Sequence, residues 1–362
     1  MDMLAKFWES SEISLEPVCF AETPEGGMTG GTLLCEPVDG VKLVSHDGRT
    51  EYEEGRDYAL EGKRIVLTPD TRIPVLERRY YCLPYDGAEE HDWLRLPGGE
   101  EYFDIFDSVY HWQCLASYTH ASRWTDFTPR CGAANLPRTM KKLREGGELR
   151  LMFYGDSITA GWEASGCDEE CIDVRTAKPF RLHRHRWPYL PAWPELVASA
   201  LGRACLDTRI DKCNRGAGGS TNQWGIDHAR ELVGPFRPDL TVVAFGMNGA
   251  TDPPERYRRD IETIMDLIRA DSPDCEFLLV SPMIPNEEMI HYRVNTLGAM
   301  EEALESIAAM QKGVAAAPVH SVFEAVLRAG KSYYEITGNC INHPNDFSVR
   351  LYAQTILASL GL

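Results

Sequence analysis

The sequence predicts a mixed α/β chain, in which a β-rich front region precedes a region of alternating strands and helices. The chain has 362 residues, which is enough for two domains. Short alternating stretches separated by turn signals fill the first 130 residues, whereas apolar runs and longer amphipathic stretches alternate from about residue 149. We therefore expect a small β-sandwich domain over 1–132, a linker over 133–148 and an α/β domain over 149–362.

The front region is assigned to strands because its short apolar stretches end at pairs that favour turns, such as Asp47-Gly48 and Glu61-Gly62. The strand candidates are 41–44, 58–60, 64–67 and 79–82. Beyond the first dozen residues no useful helical period interrupts them, so a β-sandwich is the natural prediction. One hypothesis for this region is that it helps to position the substrate.

The second region has the pattern of a parallel sheet covered by helices on both faces. The strand candidates are 149–154, 207–213, 240–245, 277–280 and 315–319. The helix candidates are 194–201, 226–233, 255–270, 297–311, 321–328 and 347–360. Ligands of such sheets bind beyond the carboxyl ends of the strands, so the residues that follow each strand are the candidates for chemistry.

The charge of the chain argues against polyanionic partners. Lys and Arg number 37 against 55 Asp and Glu, a formal net charge of −18. Residues 1–132 hold 12 basic and 25 acidic residues, a net of −13, so most of the acidity lies in the front region. Nucleic acid and anionic membrane surfaces would be repelled. The 11 cysteines and the absence of a signal-peptide pattern predict reduced thiols in a cytoplasmic protein.

The first candidate for catalysis is a serine in a turn after the first strand of the α/β region. The segment reads Gly155-Asp-Ser-Ile-Thr-Ala-Gly-Trp162. A turn from strand to helix exposes the hydroxyl of Ser157, and backbone N–H groups at the helix start can face an oxyanion. The segment alone is equally consistent with Ser157 acting only as a helix cap.

Three later segments carry further candidates, each after a strand or before the last helix. Gly219 lies in the glycine-rich stretch 214–222, where a backbone N–H can approach a ligand closely. Asn248 follows the third strand and offers an amide donor, although the segment alone favours a turn role. His343 lies in a loop stiffened by Pro344, a placement that suits a general base for Ser157, although a lone histidine is more often structural.

These four segments in this order resemble the SGNH/GDSL hydrolase family. The residues that carry the resemblance are Gly155-Asp-Ser-Ile, Gly219, Gly246-Met-Asn248 and His343-Pro-Asn. The resemblance covers about residues 149–362, and the front region carries no part of it. It implies a flavodoxin-like α/β/α three-layer domain.

The resemblance also implies the chemistry of acyl transfer. Ser157 would attack an ester carbonyl, and His343 would take its proton and return it to the leaving alcohol. The backbone N–H groups of Ser157 and Gly219 and the side chain of Asn248 would form the oxyanion hole. No metal or cofactor is implied.

One departure from the family pattern concerns the residue that orients the histidine. The family places Asp three residues before the histidine, but Cys340 stands there, preceded by Asn339. The favoured interpretation is a Ser–His dyad in which Nδ1–H of His343 donates to a backbone carbonyl or to Asn339. A second has the acid come from Asp346 or Glu335, although Asp346 is expected to cap the last helix. A third is that the site has lost activity.

A polar stretch between the first two candidate segments allows two interpretations. Cys167, Cys171, His183 and His185 could hold a zinc ion, but their spacing matches no strong zinc motif. A polar insertion lying over the site is the favoured interpretation.

The choice of substrate depends on tryptophans near the candidate segments. Trp162 and Trp224 are candidates for stacking on the C–H faces of a sugar. The leading hypothesis is a carbohydrate O-acetyl esterase whose partner is a small-molecule or glycan ester. A lipase or thioesterase is the first alternative, and a non-catalytic glycan-binding protein is the second.

Overall fold

The computed structural model describes residues 3–23, 26–85, 87, 94–96, 98–102 and 109–362. Its strands are β1 (Glu12–Glu22), β2 (Met28–Thr29), β3 (Lys42–Ser45), β4 (Glu51–Tyr52), β5 (Tyr58–Glu61), β6 (Arg64–Leu67), β7 (Val75–Leu76), β8 (Cys82–Pro84), β9 (Arg95–Leu96), β10 (Glu100–Tyr102), β11 (Gln113–Thr119), β12 (Gly147–Gly155), β13 (Asp168–Ile172), β14 (Pro179–His183), β15 (Thr208–Gly216), β16 (Leu240–Ala244), β17 (Glu276–Val280) and β18 (Val314–Ala317). Its helices are α1 (Pro137–Glu145), α2 (Ser157–Ala160), α3 (Trp193–Ala204), α4 (Asn222–Leu232), α5 (Pro254–Asp271), α6 (Ile290–Arg293), α7 (Leu297–Met310), α8 (Val319–Arg328), α9 (Tyr333–Ile336) and α10 (Asp346–Ser359). The predicted mixed α/β class is confirmed.

A five-stranded parallel sheet forms the centre of the second region. Its strand order is β15-β12-β16-β17-β18, which is the 2-1-3-4-5 order of flavodoxin-like folds. Helices flank the sheet, with α10 packed against α3 and α8, and α5 packed between α4 and α7. All five residues of β17 are buried. Residues 277–280 are the apolar run expected of a strand covered on both faces, and the carboxylate of the fifth, Glu276, accepts the N–H groups of Arg138 and Thr139.

The ends of the predicted elements of this region lie within four residues of the observed ones, and the largest error is at α4, which begins at Asn222 and not at residue 226. The predicted strand 315–319 ends earlier, because β18 stops at Ala317 and α8 begins at Val319. Pro318 lies between them and has no N–H with which to extend the ladder. The predicted linker contains a helix, α1, whose first residue is Pro137, a position that proline favours.

The front region is β-rich and mainly antiparallel, as predicted. One sheet has the order β2-β1-β11-β3-β4, with β7 added to β1, and β5 pairs with β6. The predicted strand 79–82 is wrong: residues Arg78–Tyr80 form a short 3-10 helix, and β8 begins only at Cys82. The Glu22 carboxylate accepts the Arg78 N–H at 3.0 Å, which holds the chain in a turn there.

The two regions share a buried ionic contact. Lys331 Nζ, just ahead of α9, lies 2.9 Å from Glu16 Oε1 on β1 and 3.3 Å from Glu335 Oε1, and all three side chains are buried. β1 also packs against α9 and α10. The segment of chain that ends at His343 is therefore anchored to the front region.

The polar stretch over 167–185 forms a hairpin, with β13 paired to β14. It packs against the edge strand β15. All eleven cysteines of the chain are free. Within the described part of the chain, no helix combines the length and apolarity that a membrane crossing requires.

Candidate active site

The turn after β12 places Ser157, which is largely buried, at the carboxyl edge of the sheet. Asp156, not Ser157, caps α2, because Asp156 Oδ1 accepts the Ile158 N–H at 3.0 Å. The serine is the first helical residue, and its hydroxyl is free to face the cleft described below. Burial raises the pKa of Asp156 to about 7, against the opposing effect of backbone N–H groups on its carboxylate.

Two glycines make this turn possible by close packing. Gly155 pairs with Gly216 and Ala244 at the ends of the neighbouring strands. A Cβ on Gly155 would lie 2.3 Å from the Ala244 carbonyl, and one on Gly216 would lie 2.3 Å from the Ala160 nitrogen. Larger residues at either position would push α2 away from the sheet edge.

His343 lies in the loop between α9 and α10 and reaches the serine. Its Nε2 is 2.8 Å from Ser157 Oγ. Burial lowers the pKa of His343 to about 3, and the nearby Arg184 guanidinium acts in the same direction. The imidazole is therefore neutral over the ordinary pH range.

Asn339 contacts the other ring nitrogen of His343. Asn339 Nδ2 lies 3.1 Å from Nδ1, whereas Asn339 Oδ1 accepts the N–H groups of Ile341, Asn342 and His343, each at 3.0 Å. The expectation that Nδ1–H donates to a backbone carbonyl or to Asn339 is not met at Asn339, because the amide nitrogen, which is a donor, faces the ring.

The alternative acids are engaged elsewhere. Asp346 Oδ1 accepts the Ser165 N–H at 2.9 Å, and Glu335 pairs with Lys331. The expectation that Asp346 caps the last helix is also wrong. The cap is Asn345, whose side chain accepts from the third residue of α10.

Cys340 is buried. The ionisable groups that interact electrostatically with its thiol include Cys82, Glu288 and Cys19. Its backbone has a φ of 60°, and its carbonyl accepts from Asn286 Nδ2 at 2.9 Å. The thiol at the position where the family has Asp therefore lies near Cys19 and Cys82 of the front region.

The predicted oxyanion donors lie at the same edge of the sheet. Gly219 has a φ of 77° in the turn before α4, a conformation that favours glycine. Asn248 lies in the short 3-10 helix Met247–Gly249, and its Nδ2 donates to the Ser220 carbonyl at 2.9 Å. Both residues border the cleft that holds Ser157 and His343.

This cleft has a volume of about 570 Å³. Its lining residues are Ser157, Trp162, Ile172, Asp173, Val174, Arg175, Phe180, Gly218, Gly219, Asn248, Tyr292, Asn342 and His343. The hairpin and the turn that joins its strands supply one wall, so this polar insertion does lie beside the site. No residue from the described part of the front region lines the cleft.

The two tryptophans proposed for substrate contact differ in position. Trp162 lines the cleft, and its ring stacks on that of His343 with centroids 6.1 Å apart. Trp224 lies outside the lining: its Nε1 donates to the Val174 carbonyl at 3.0 Å, and its ring packs on His228. Trp224 therefore supports the cleft wall from behind.

The zinc interpretation of the hairpin finds no support in the geometry. The Cys167 and Cys171 thiols are buried and directed at the Ala160 carbonyl, whereas His183 and His185 are exposed. In the described part of the chain, no three His, Cys, Asp or Glu side chains gather to hold a metal ion.

A profile of the GDSL-like lipase/acylhydrolase family matches residues 153–348, which is more than half of the chain. The chain belongs to this family. The match begins within β12 and ends just after the start of α10, so it spans all four segments on which the resemblance depends. A GDSL-like acylhydrolase is a carboxylic ester hydrolase, and the predicted enzyme class is confirmed. A comparison with curated proteins gave no match.

Solved structures that resemble this chain include two esterases. A two-domain esterase active on acetylated mannans matches with a TM-score of 0.49 and 21% identity, covering 64% of this chain and 54% of its own. Axe2, an acetylxylan esterase from Geobacillus stearothermophilus, matches with a TM-score of 0.46 and 18% identity. The match covers 60% of this chain and 96% of the Axe2 chain. The chain thus spans about half the length of the mannan esterase.

Several site residues escaped the sequence reasoning. Phe180, Tyr292 and Asn342 line the cleft, and Arg184 lies close enough to His343 to affect its pKa. Gln113 on β11 donates to the Tyr334 and Thr337 carbonyls at 2.7 and 2.8 Å, which fixes the start of the histidine loop. The place of Asn342 in the cleft is predictable because Asn342 directly precedes His343 in the sequence. No local sequence pattern predicts the contact of Gln113 with the histidine loop.

Proposed function

We propose that this acylhydrolase is a carbohydrate O-acetyl esterase that works through Ser157 and His343. The observation that carries the proposal is the 2.8 Å contact between Ser157 Oγ and His343 Nε2 at the cleft. This separation allows direct transfer of the hydroxyl proton. The lowered pKa of the imidazole keeps it neutral, as a general base must be.

The proposed reaction has two halves. Ser157 Oγ attacks the acetyl carbonyl while its proton passes to His343 Nε2, and the ester bond then breaks as the sugar oxygen takes that proton. A water molecule next attacks the acetyl-enzyme with His343 again as base, which releases acetate and restores Ser157. The Ser157 and Gly219 N–H groups and Asn248 Nδ2 would stabilise the oxyanion in both halves.

The composition of the cleft favours a sugar over a long acyl chain. Trp162, Phe180 and Tyr292 offer aromatic faces on which the C–H groups of a pyranose can stack. Polar lining residues such as Asn342 and Arg175 offer partners for hydroxyl groups. A lipase would need a long aliphatic groove, whereas aliphatic side chains contribute little to this lining.

The first test compares the wild type with Ser157→Ala on p-nitrophenyl acetate. We expect the variant to lose at least about a thousandfold in kcat, because the nucleophile is removed. Equal rates would refute the catalytic assignment and favour a glycan-binding protein. Faster turnover of p-nitrophenyl octanoate than of the acetate would favour a lipase or thioesterase.

The second test addresses the sugar. Phe180→Ala should raise KM for an acetylated oligosaccharide while leaving KM for p-nitrophenyl acetate within about twofold, because only the sugar reaches the hairpin wall. Tyr189→Ala is the matched control, because Tyr189 is an exposed aromatic residue that does not line the cleft. Parallel changes for both substrates would contradict sugar recognition by this wall.

A further inference from the structure

The contact between Asn339 and His343 determines which ring nitrogen carries the proton. Asn339 Nδ2 is a donor only, so the Nδ1 atom 3.1 Å away is the unprotonated acceptor. The proton of the neutral imidazole then resides on Nε2, which faces Ser157 Oγ at 2.8 Å. In this state the ring donates to the serine hydroxyl instead of accepting its proton.

The orientation of the Asn339 amide is fixed by the backbone around it. Its Oδ1 accepts three N–H groups, those of Ile341, Asn342 and His343, each at 3.0 Å. Exchanging the oxygen and nitrogen would replace these hydrogen bonds with contacts between donors, in a buried loop. Since an unsatisfied buried donor is costly, the amide nitrogen must remain on the side of the ring.

We propose that Asn339 is the positioning residue of His343 and that its amide disfavours the Nδ1–H tautomer on which general-base catalysis depends. This inference rests on the proposed function of the Ser157–His343 pair. Catalysis needs Nε2 unprotonated and Nδ1–H directed at an acceptor. The fraction of enzyme in that tautomer then limits the rate, and a carboxylate at position 339 would reverse the preference.

The loop can accept this carboxylate without rearranging its backbone. In Asn339→Asp, Oδ1 keeps its three backbone donors, and Oδ2 replaces Nδ2 opposite Nδ1. Asn342 Oδ1, now 3.3 Å from Nδ2, would turn its amide to donate instead. The Tyr292 hydroxyl, 3.0 Å from Asn342 Nδ2, can either donate or accept, so both groups remain satisfied.

The kinetic test compares Asn339→Asp with the wild type on p-nitrophenyl acetate. We expect kcat to rise at least about tenfold, within the roughly 10⁴-fold that a carboxylate orienter can contribute, with KM changed by less than about twofold. Cys340→Asp is the matched control, because it adds the same group at the position where the family has Asp. It should not raise kcat, because the charged and ionisable groups that act on the buried Cys340 side chain are Cys82 and Glu288, not His343. A rise with Cys340→Asp and none with Asn339→Asp would overturn the proposal.

The spectroscopic test reads the tautomer directly, by long-range ¹H–¹⁵N correlation on protein labelled at histidine. His343→Asn identifies the His343 signals among the 10 histidines. We expect an Nε2–H ring in the wild type and an Nδ1–H ring in Asn339→Asp. An Nδ1–H ring in the wild type would refute the inference even if the variant fails to fold. A wild-type rate equal to that of Ser157→Ala would instead refute the proposed function and leave the tautomer assignment intact.

Discussion

Replacing Lys331 with Met tests the ionic contact that joins the front region to the segment leading to His343. Lys331 Nζ contacts Glu16 Oε1 at 2.9 Å, Glu335 Oε1 at 3.3 Å and the carbonyls of Pro17 and Thr32 at 2.6 and 3.0 Å. Methionine has a similar length and fills the same space. The change therefore removes the charge and its hydrogen bonds while largely preserving the packing.

The expected loss of stability depends on the carboxylates of Glu16 and Glu335, which stay buried once the Lys331 ammonium is removed. Removing one partner of a buried ion pair costs about 3–5 kcal/mol, because the remaining charge stays buried without compensation. Glu335 keeps part of its hydrogen bonding, since its carboxylate also accepts the N–H groups of Cys19, Gly31 and Ser332. We therefore expect the lower end, a loss of about 3 kcal/mol in the free energy of unfolding at pH 8.

The loss should depend on pH with a definite sign. Burial raises the pKa of Glu335, and Lys331 opposes that rise, so the variant has a still higher pKa there. An unfolded Glu ionises near pH 4.3. Between that pH and the raised value, the folded variant binds a proton that the unfolded chain lacks, so its stability falls as pH rises. The difference from wild type should thus be larger at pH 8 than at pH 5.5.

Urea denaturation followed by circular dichroism measures both differences. Lys141→Met is the control, because the Lys141 side chain is exposed and its ion pair with Glu145 spans 3.8 Å. That variant should stay within about 0.5 kcal/mol of wild type. A loss for Lys331→Met below about 1 kcal/mol, equal at the two pH values, would refute the reasoning.

Two further predictions concern catalysis. Asn248→Ala should lower kcat on p-nitrophenyl acetate by about 10²–10³-fold with little change in KM, since it removes one oxyanion donor; an unchanged kcat would contradict that role. The acid limb of kcat/KM should lie well below pH 6.5, because burial lowers the pKa of His343 to about 3. The pH profile is measured for the wild type and for Asp156→Asn, because burial raises the pKa of Asp156 to about 7 and this group could also titrate in that range. Half-maximal activity near pH 6.5 in both proteins would contradict the lowered pKa of His343.

The same histidine affects stability. The unfolded chain protonates His343 below about pH 6.5, whereas the folded chain resists protonation down to about pH 3. Between these values the unfolded state binds more protons, so this group makes the fold less stable as pH falls. Acid inactivation should therefore follow loss of structure, which far-UV circular dichroism at each pH distinguishes from loss of catalysis.

The features that can be predicted from the sequence are those that depend on local sequence patterns. Residues 277–280 of β17 are predictable as a strand, because a strand covered on both faces is expected to be a continuous apolar run. Ser157 and His343 were predicted because the ends of neighbouring parallel strands and the last loop meet at one edge. The register of Gly155 with Gly216 and Ala244 brings together the segments that carry Ser157, Gly219 and Asn248, whereas His343 reaches Ser157 from the loop between α9 and α10.

The remaining features depend on contacts that no local pattern records. Residues 79–82 have strand-like composition, yet the Glu22 carboxylate, far away in sequence, holds Arg78 in a turn. The direction of the Asn339 amide depends on three backbone N–H groups whose positions exist only in the folded loop. Gln113 contacts the histidine loop from more than 200 residues away, and its own neighbours in sequence give no sign of it.

The packing of β1 against α9 and α10 has a consequence for how the molecule is assembled. Arg350 donates to the Leu15 carbonyl and Gln354 to the Ala5 carbonyl, across separations of 335 and 349 residues. Such distant pairs add little to the equilibrium cost of loop closure, but they slow the search for the native arrangement. During synthesis β1 emerges about 310 residues before α9, so it is made long before the helices with which it packs. The appearance of esterase activity in a refolding chain would thus report the step in which β1 packs against α9 and α10.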